Sequence, residues 1–160
     1  MDTDAKGQEP VVRLGLEDLS EVVRLERACF PYHWTEEQFK LGLERGAYHV
    51  LGIRDGERLA AYLAFSVIAG EMEILNLAVD PPLRRRGLAT RLMAALETVS
   101  RGLGAVSGFL DVRASNHPAI DLYRKFGFSQ CGVRRAYYPD NGEDALLFSR
   151  EYPNDTTTRR

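Results

Sequence analysis

The chain has 160 residues, 44% hydrophobic and 28% charged, enough for one domain with a sizeable core. A formal net charge of −2 supplies no basic field for nucleic acid or for an anionic membrane, and no run approaches the ~18 apolar residues of a membrane span. Two cysteines, Cys29 and Cys131, and three histidines, His33, His49 and His117, are scattered without metal-ligand spacing, so no metal is expected and the thiols read as reduced.

The first ten residues, MDTDAKGQEP, are polar and acidic, unlike a secretory signal, and cytoplasm is the expected compartment. Residues 1–10 and 153–160 read as flexible ends around a domain spanning 11–152. A first strand is predicted over Val11–Gly15. Leu16–Phe30 reads as a helix from Leu19, Val22, Val23, Cys29 and Phe30, closed by Pro31. Thr35-Glu36-Glu37-Gln38 has the capping-box pattern for a short helix to about Leu43. Tyr48–Arg54 and Arg58–Ala69 flank Asp55-Gly56, a hairpin signal, and Glu71–Val79 is a further strand stopped by Pro81-Pro82. A long helix is predicted over Gly87–Leu103, with Leu88, Leu92, Leu96, Val99 and Leu103 as its buried stripe. Then come a strand over Gly108–Arg113, a helix over Pro118–Phe126, and strands over Gln130–Tyr138 and Asp144–Tyr152. The order βααβββαβαββ is that of a mixed α/β (α+β) fold. It predicts a mostly antiparallel mixed sheet of about seven strands with helices on both faces.

The most informative stretch runs from Leu77, Ala78 and Val79 through Asp80-Pro81-Pro82-Leu83 to Arg84-Arg85-Arg86-Gly87-Leu88-Ala89-Thr90. A strand ends, a basic loop follows, and a glycine opens a long amphipathic helix. Free N–H groups at a helix start, with the helix dipole, make a site for phosphate or pyrophosphate. A solvated arginine run beside a helix start is the competing account, and the short pattern alone does not separate the two.

Arg84-x-x-Gly87-x-Ala89 resembles the R/Q-x-x-G-x-G/A pyrophosphate signature of the GNAT superfamily of N-acetyltransferases, and the element order is similar too. Three further regions are similar to a branch that acetylates protein N-termini. One is Phe30-Pro31-x-x-Trp34-Thr35. Another is Leu110-Asp111-Val112-Arg113-Ala114-Ser115-Asn116, with Ala119-Ile120-x-Leu122-Tyr123 and Gly127-Phe128. The last is Arg134-Arg135-x-Tyr137-Tyr138-Pro139 with Glu143-Asp144-Ala145. The similarity covers roughly 11–148. It implies a GNAT fold and acetyl-coenzyme A as co-substrate. Leu77, Ala78 and Val79 are then expected to bond the pantetheine arm through their backbone. Residues Arg84 to Thr90 are expected to cradle the pyrophosphate, and Asn116 to touch the cofactor further along. For Asn116 a helix-capping role competes.

The implied reaction is direct attack of an amine on the acetyl thioester. Tyr123 matches the family's general acid, with burial on a short helix as the bland account. Asp111 stands where this branch carries a glutamate base; aspartate is shorter by roughly 1.5 Å, and a surface pair with Arg113 is the alternative. Glu73, at a position similar to the base of another branch, is the second candidate. Trp34, Tyr137 and Tyr138 flank the acceptor opening in this family; successive strand residues face opposite sides, so one tyrosine of the pair faces inward. Glu36, Glu37, Asp140, Glu143 and Asp144 suggest an acidic rim. The resemblance implies a protein N-terminus as acceptor, an alanine of a small-subunit ribosomal protein, with neither nucleic acid nor membrane as partner. A small amine or a lysine side chain as acceptor stays open, as does a silent acyl-coenzyme A-binding module.

Overall fold

The computed structural model describes residues 8–154. Most of the two expected flexible ends, residues 1–7 and 155–160, lies outside the described residues. Where the ends are described they are tied down: Arg91 donates to the Glu9 carbonyl, and Arg101 to the Pro153 carbonyl at 2.9 Å.

In chain order the elements are β1 (Val11–Leu14), α1 (Leu19–Cys29), α2 (Glu36–Glu44), β2 (His49–Asp55), β3 (Arg58–Ile68) and β4 (Glu71–Val79). They continue with α3 (Leu88–Gly102), β5 (Ser107–Arg113), α4 (His117–Lys125), β6 (Ser129–Arg134) and β7 (Ala145–Glu151). The seven strands form one sheet in the order β1-β2-β3-β4-β5-β7-β6. Two-residue turns join β2 to β3 and β3 to β4, connections only antiparallel neighbours can use. β4 and β5 run parallel, from Glu71↔Ser107 to Ile74↔Leu110, and α3 provides the crossover that parallel strands require. β7 then returns between β5 and β6, antiparallel to both, which leaves β6 at the edge.

The chain divides into two compact units, with β3, β4 and α3 running from one into the other. The first takes in the chain up to Leu63 with Leu77–Ala95; the second takes in Ala64–Asn76 and everything from Leu96. The first unit's core is Leu19, Val22, Val23 and Leu25 of α1, Phe39 of α2, and Val50, Leu51, Ile53 and Leu59–Leu63 of β2 and β3. In the second, Met72, Ile74, Leu110, Val112, Ile120, Tyr123, Phe128 and Phe148 are buried.

Most predicted bounds hold within one or two residues, and three readings need correction. The first helix begins as a 3-10 turn over Leu16–Asp18, where Asp18 turns back to accept the Gly15 N–H at 2.9 Å. The buried positions of α3 include Leu92, Met93, Leu96 and Ser100, whereas Leu103 lies past the helix end and is exposed. Finally, β6 stops at Arg134, so Tyr137 and Tyr138 are not strand residues. Ala136, with φ of 50°, takes the chain into a loop, and strand alternation says nothing about where the two rings point.

The capping box of α2 forms as read: Thr35 Oγ1 accepts the Gln38 N–H at 3.1 Å, and Gln38 returns its side-chain oxygen to the Thr35 N–H at 2.8 Å. That helix carries Phe39 against Tyr48 and Trp34, with ring centroids 6.4 and 4.9 Å away. Gly42 makes room for Tyr48: a Cβ there would lie 2.0 Å from the ring's Cε1. Helix propensity alone favours Gly42→Ala by up to ~1 kcal/mol. Displacing a packed ring costs about 1–3 kcal/mol, so the clash wins. Gly42→Ala is expected to lower stability in urea denaturation, and a stabilised variant would show that the ring moves freely.

Candidate active site

Past Val79 the chain makes a single 3-10 turn over Pro81–Leu83, and the Asp80 N–H donates to the Ala60 carbonyl at 2.8 Å. Arg84, Arg85 and Arg86 follow, all exposed. Gly87 takes φ of 78°, a conformation glycine adopts without penalty, and a Cβ built on it would meet nothing within 4 Å. α3 begins at Leu88, with a backbone bond from the Arg91 N–H to the Gly87 carbonyl at 3.1 Å. The N–H groups of Leu88, Ala89 and Thr90 thus stand at the head of a 15-residue helix with no intrahelical acceptor. The positive end of the helix dipole lies there too. Donors, positive field and open space together fit a diphosphate.

One feature departs from expectation. Arg84 is folded back: its Nε donates to the Val79 carbonyl at 3.2 Å, and its guanidinium lies 3.8 Å from the Cys29 Sγ. The Cys29 thiol also donates to the Val79 carbonyl, at 3.4 Å, and burial pushes its pKa up, so it is held as a thiol. A pantetheine arm bonding this carbonyl would therefore compete with Arg84, although all three arginines of the loop are exposed.

The second unit holds the candidate acid and bases. In the parallel register Glu73 lies beside Phe109, and strand alternation places Asp111 on that same sheet face. Leu110 and Val112, on the opposite face, are buried. Burial, and then the Asp111 charge, push the Glu73 carboxyl above its ordinary pKa, with Arg134 opposing. The Asp111–Arg113 pair, the alternative to a base at Asp111, is not what Arg113 makes: it donates to Asp140 at 3.0 Å and to Glu143 at 3.3 Å. Tyr123 is only 6% exposed, packed edge-on to Phe128 at 6.3 Å. Burial first, then Tyr138, hold its hydroxyl well above the usual phenol pKa, so it stays protonated. Its helix is capped by Asn116, whose Oδ1 accepts the Ala119 N–H at 3.4 Å, so the capping role read for Asn116 is present.

Of the aromatics expected to flank an acceptor, Trp34 is half-buried against Phe39 and Tyr48 in the first unit. Tyr137 and Tyr138 belong to the second, where their N–H groups both donate to the Glu143 carbonyl, at 3.1 and 3.2 Å. The Arg113 guanidinium lies over the Tyr138 ring, 3.9 Å from its centroid, and Tyr137 stands edge-on to Tyr138 at 5.2 Å. Sequence reasoning treated Arg113 only as a partner for Asp111; its choice of Asp140 and Glu143 depends on the β6–β7 loop folding back over β5. The acidic rim is accordingly weaker than expected. Asp140 and Glu143 are occupied by Arg113 and Asp144 by Arg135, while Glu36 and Glu37 remain exposed at the start of α2.

The sequence profile of the acetyltransferase (GNAT) family matches residues 19–128, and the chain belongs to that family. It is thus an acyltransferase by class, in a family whose enzymes take their acetyl group from acetyl-coenzyme A. A Salmonella typhimurium protein, ribosomal protein bS18-alanine N-acetyltransferase, is 35% identical over 138 residues, 85% of this chain and 93% of that protein. A Bacillus subtilis protein named provisionally for the same activity is 36% identical over 89% of this chain and 95% of its own length. The crystal structure of the Escherichia coli ribosomal-protein-S18-alanine N-acetyltransferase superposes with a TM-score of 0.85 at 28% identity, covering 95% of this chain and 99% of that one.

A substitution at Gly87 tests cofactor binding apart from folding. Asparagine tolerates the left-handed backbone but fills the open space, so Gly87→Asn is expected to weaken acetyl-coenzyme A binding about tenfold or more with little loss of melting temperature. Calorimetric titration checks this, and unchanged affinity would remove the loop from the cofactor site.

Proposed function

We propose that this protein transfers the acetyl group of acetyl-coenzyme A directly to the N-terminal α-amine of a protein, the alanine of ribosomal protein bS18, in the cytoplasm. The observation that carries this reading is similarity to the Salmonella protein of that name over 85% of this chain and 93% of that protein. The backbone of Leu77, Ala78 and Val79 lies along the pantetheine arm, residues Arg84 to Thr90 hold the diphosphate, and Asn116 borders the cofactor. When bound, acetyl-coenzyme A supplies an acetyl thioester open to attack by an amine.

The chain's own residues move the protons. Asp111 takes one from the attacking amine, through water where its short side chain falls short. Tyr123, kept protonated by its burial, gives a hydrogen bond or proton to the departing sulfur. Glu73 is the reserve base, since its raised pKa brings it closer to neutrality. Trp34, Tyr137 and Tyr138 orient the acceptor chain, and orientation is itself a large part of such a rate. The magnitudes favour an α-amine: with a pKa near ~7.8 it costs about 1 kcal/mol to deprotonate at pH 7, against about 4.6 kcal/mol for a lysine near ~10.4.

Tyr123→Phe and Asp111→Asn are each expected to lower kcat about 100-fold with acetyl-coenzyme A affinity unchanged, while Glu73→Gln costs far less. The pH profile tests the choice of base. Removing the Asp111 charge lowers the Glu73 pKa, so an Asp111→Asn enzyme that stays active with its acid limb moved to lower pH would make Glu73 the base. For the acceptor, an Ala-initiated basic peptide is compared with the same peptide blocked at its N-terminus. Only the free peptide is expected to release coenzyme A thiol. Equal turnover of both would make lysine the acceptor, and rapid turnover of a polyamine alone would favour the small-amine reading.

A further inference from the structure

Helix α1 buries a charged side chain that the chemistry above leaves unused. Leu19, Val22 and Val23 form its apolar stripe, and the next position on that stripe is Glu26, 1% exposed. A carboxyl group in such a place is costly unless hydrogen bonds satisfy it. Among its partners, Oε1 accepts the backbone N–H of Trp34 at 3.2 Å and Oε2 accepts the hydroxyl of Tyr62, itself fully buried on β3.

The Trp34 N–H belongs to residues 30–35, the segment between α1 and α2 that has neither helix nor strand to satisfy its backbone. The next amide, Thr35 N–H, is taken by Gln38, so Glu26 and the capping box fasten adjacent links of the chain. The indole rests on Phe39 at 4.9 Å and on Tyr48 at 5.3 Å. Tyr48 in turn donates its hydroxyl to the Phe39 carbonyl at 2.9 Å. Burial, and then the negative charge of Glu26, push the Tyr48 hydroxyl up to about 12, which keeps that donor protonated. An apolar side chain would fill the same space at less cost, but it could not hold the Trp34 amide.

We propose that Glu26 is a positioning residue for acceptor recognition: by holding the Trp34 amide and the Tyr62 hydroxyl together, it fixes the 30–35 segment and the indole it carries. The proposal rests on the reading of Trp34 as an acceptor-side residue, and one property of the chain lets the two be tested apart. Trp34 is the single tryptophan among the 160 residues, so intrinsic fluorescence reports this segment alone.

Glu26→Leu removes both hydrogen bonds at similar volume. Tyr62→Phe removes one donor, and Glu26→Gln keeps an oxygen for the Trp34 amide. In the leucine variant, tryptophan emission is expected to shift to the red and acrylamide quenching to rise about twofold. The KM for an Ala-initiated basic peptide should rise about tenfold, with kcat at saturating peptide and acetyl-coenzyme A affinity little changed. Tyr62→Phe and Glu26→Gln should fall between it and the wild type, and they carry the test if Glu26→Leu does not fold. Wild-type emission and peptide KM in a folded Glu26→Leu protein would overturn the proposal. So would a parallel loss of peptide KM, cofactor affinity and melting temperature, the mark of a purely structural role. If the wild type acetylates no peptide, the proposed acceptor is wrong, and the fluorescence arm alone then decides whether Glu26 positions Trp34.

Discussion

A strand that runs parallel to its neighbour cannot be reached by a hairpin, and the pairing of β4 with β5 is the constraint on which the candidate site depends. The chain must leave β4, cross over and come back, and α3 is that crossover. Its start, which follows the 3-10 turn and the loop of Arg84, Arg85, Arg86 and Gly87, exposes N–H groups beside that loop. Its end delivers β5 in a register that sets Asp111 on the face of Glu73. One topological requirement therefore creates both a helix start that fits a diphosphate and a carboxylate pair.

The charged side chains split into two kinds. Glu73 and Asp111 sit half-buried on one sheet face, where burial and then the Asp111 charge push the Glu73 carboxyl above its ordinary pKa. Glu26 and Arg113 instead hold backbone and rings. Glu26 fastens the segment before α2, and Arg113 ties Asp140 and Glu143 while stacking on Tyr138. Glu143 also accepts the Ser115 N–H on its other oxygen at 2.9 Å, so the strand end and the β6–β7 loop are joined at several points. Both loops that carry the candidate acceptor aromatics are thus anchored by ion or hydrogen-bond networks rather than by apolar packing alone. Such directional bonds fix a loop's geometry where a hydrophobic contact would only hold it near the core.

Much of this was legible in the chain. The helix and strand periods, the capping box at Thr35, the Asp55-Gly56 hairpin and the glycine opening α3 each rest on local backbone preference, which acts over three or four residues. The element order, and with it the fold class, followed from those local signals. Glu26 also stands on the apolar stripe of α1, but a period set by hydrophobic residues gives a carboxylate there no partner.

Other features depend on residues far apart in the chain. Arg113 prefers Asp140 and Glu143 over its strand neighbour Asp111 because alternation leaves Asp111 two residues away while the returning loop brings two carboxylates within 3.3 Å. Tyr137 and Tyr138 leave the strand because Glu143's carbonyl captures both of their amides. Arg84 turns back to Val79 and Cys29, a sulfur 55 positions earlier in the chain. Local preference determined which segments are helix, strand and turn, and so where the basic loop and the helix start after it lie. Only the tertiary structure decided which charge meets which, because an ion pair or a captured amide depends on distances that sequence separation does not encode.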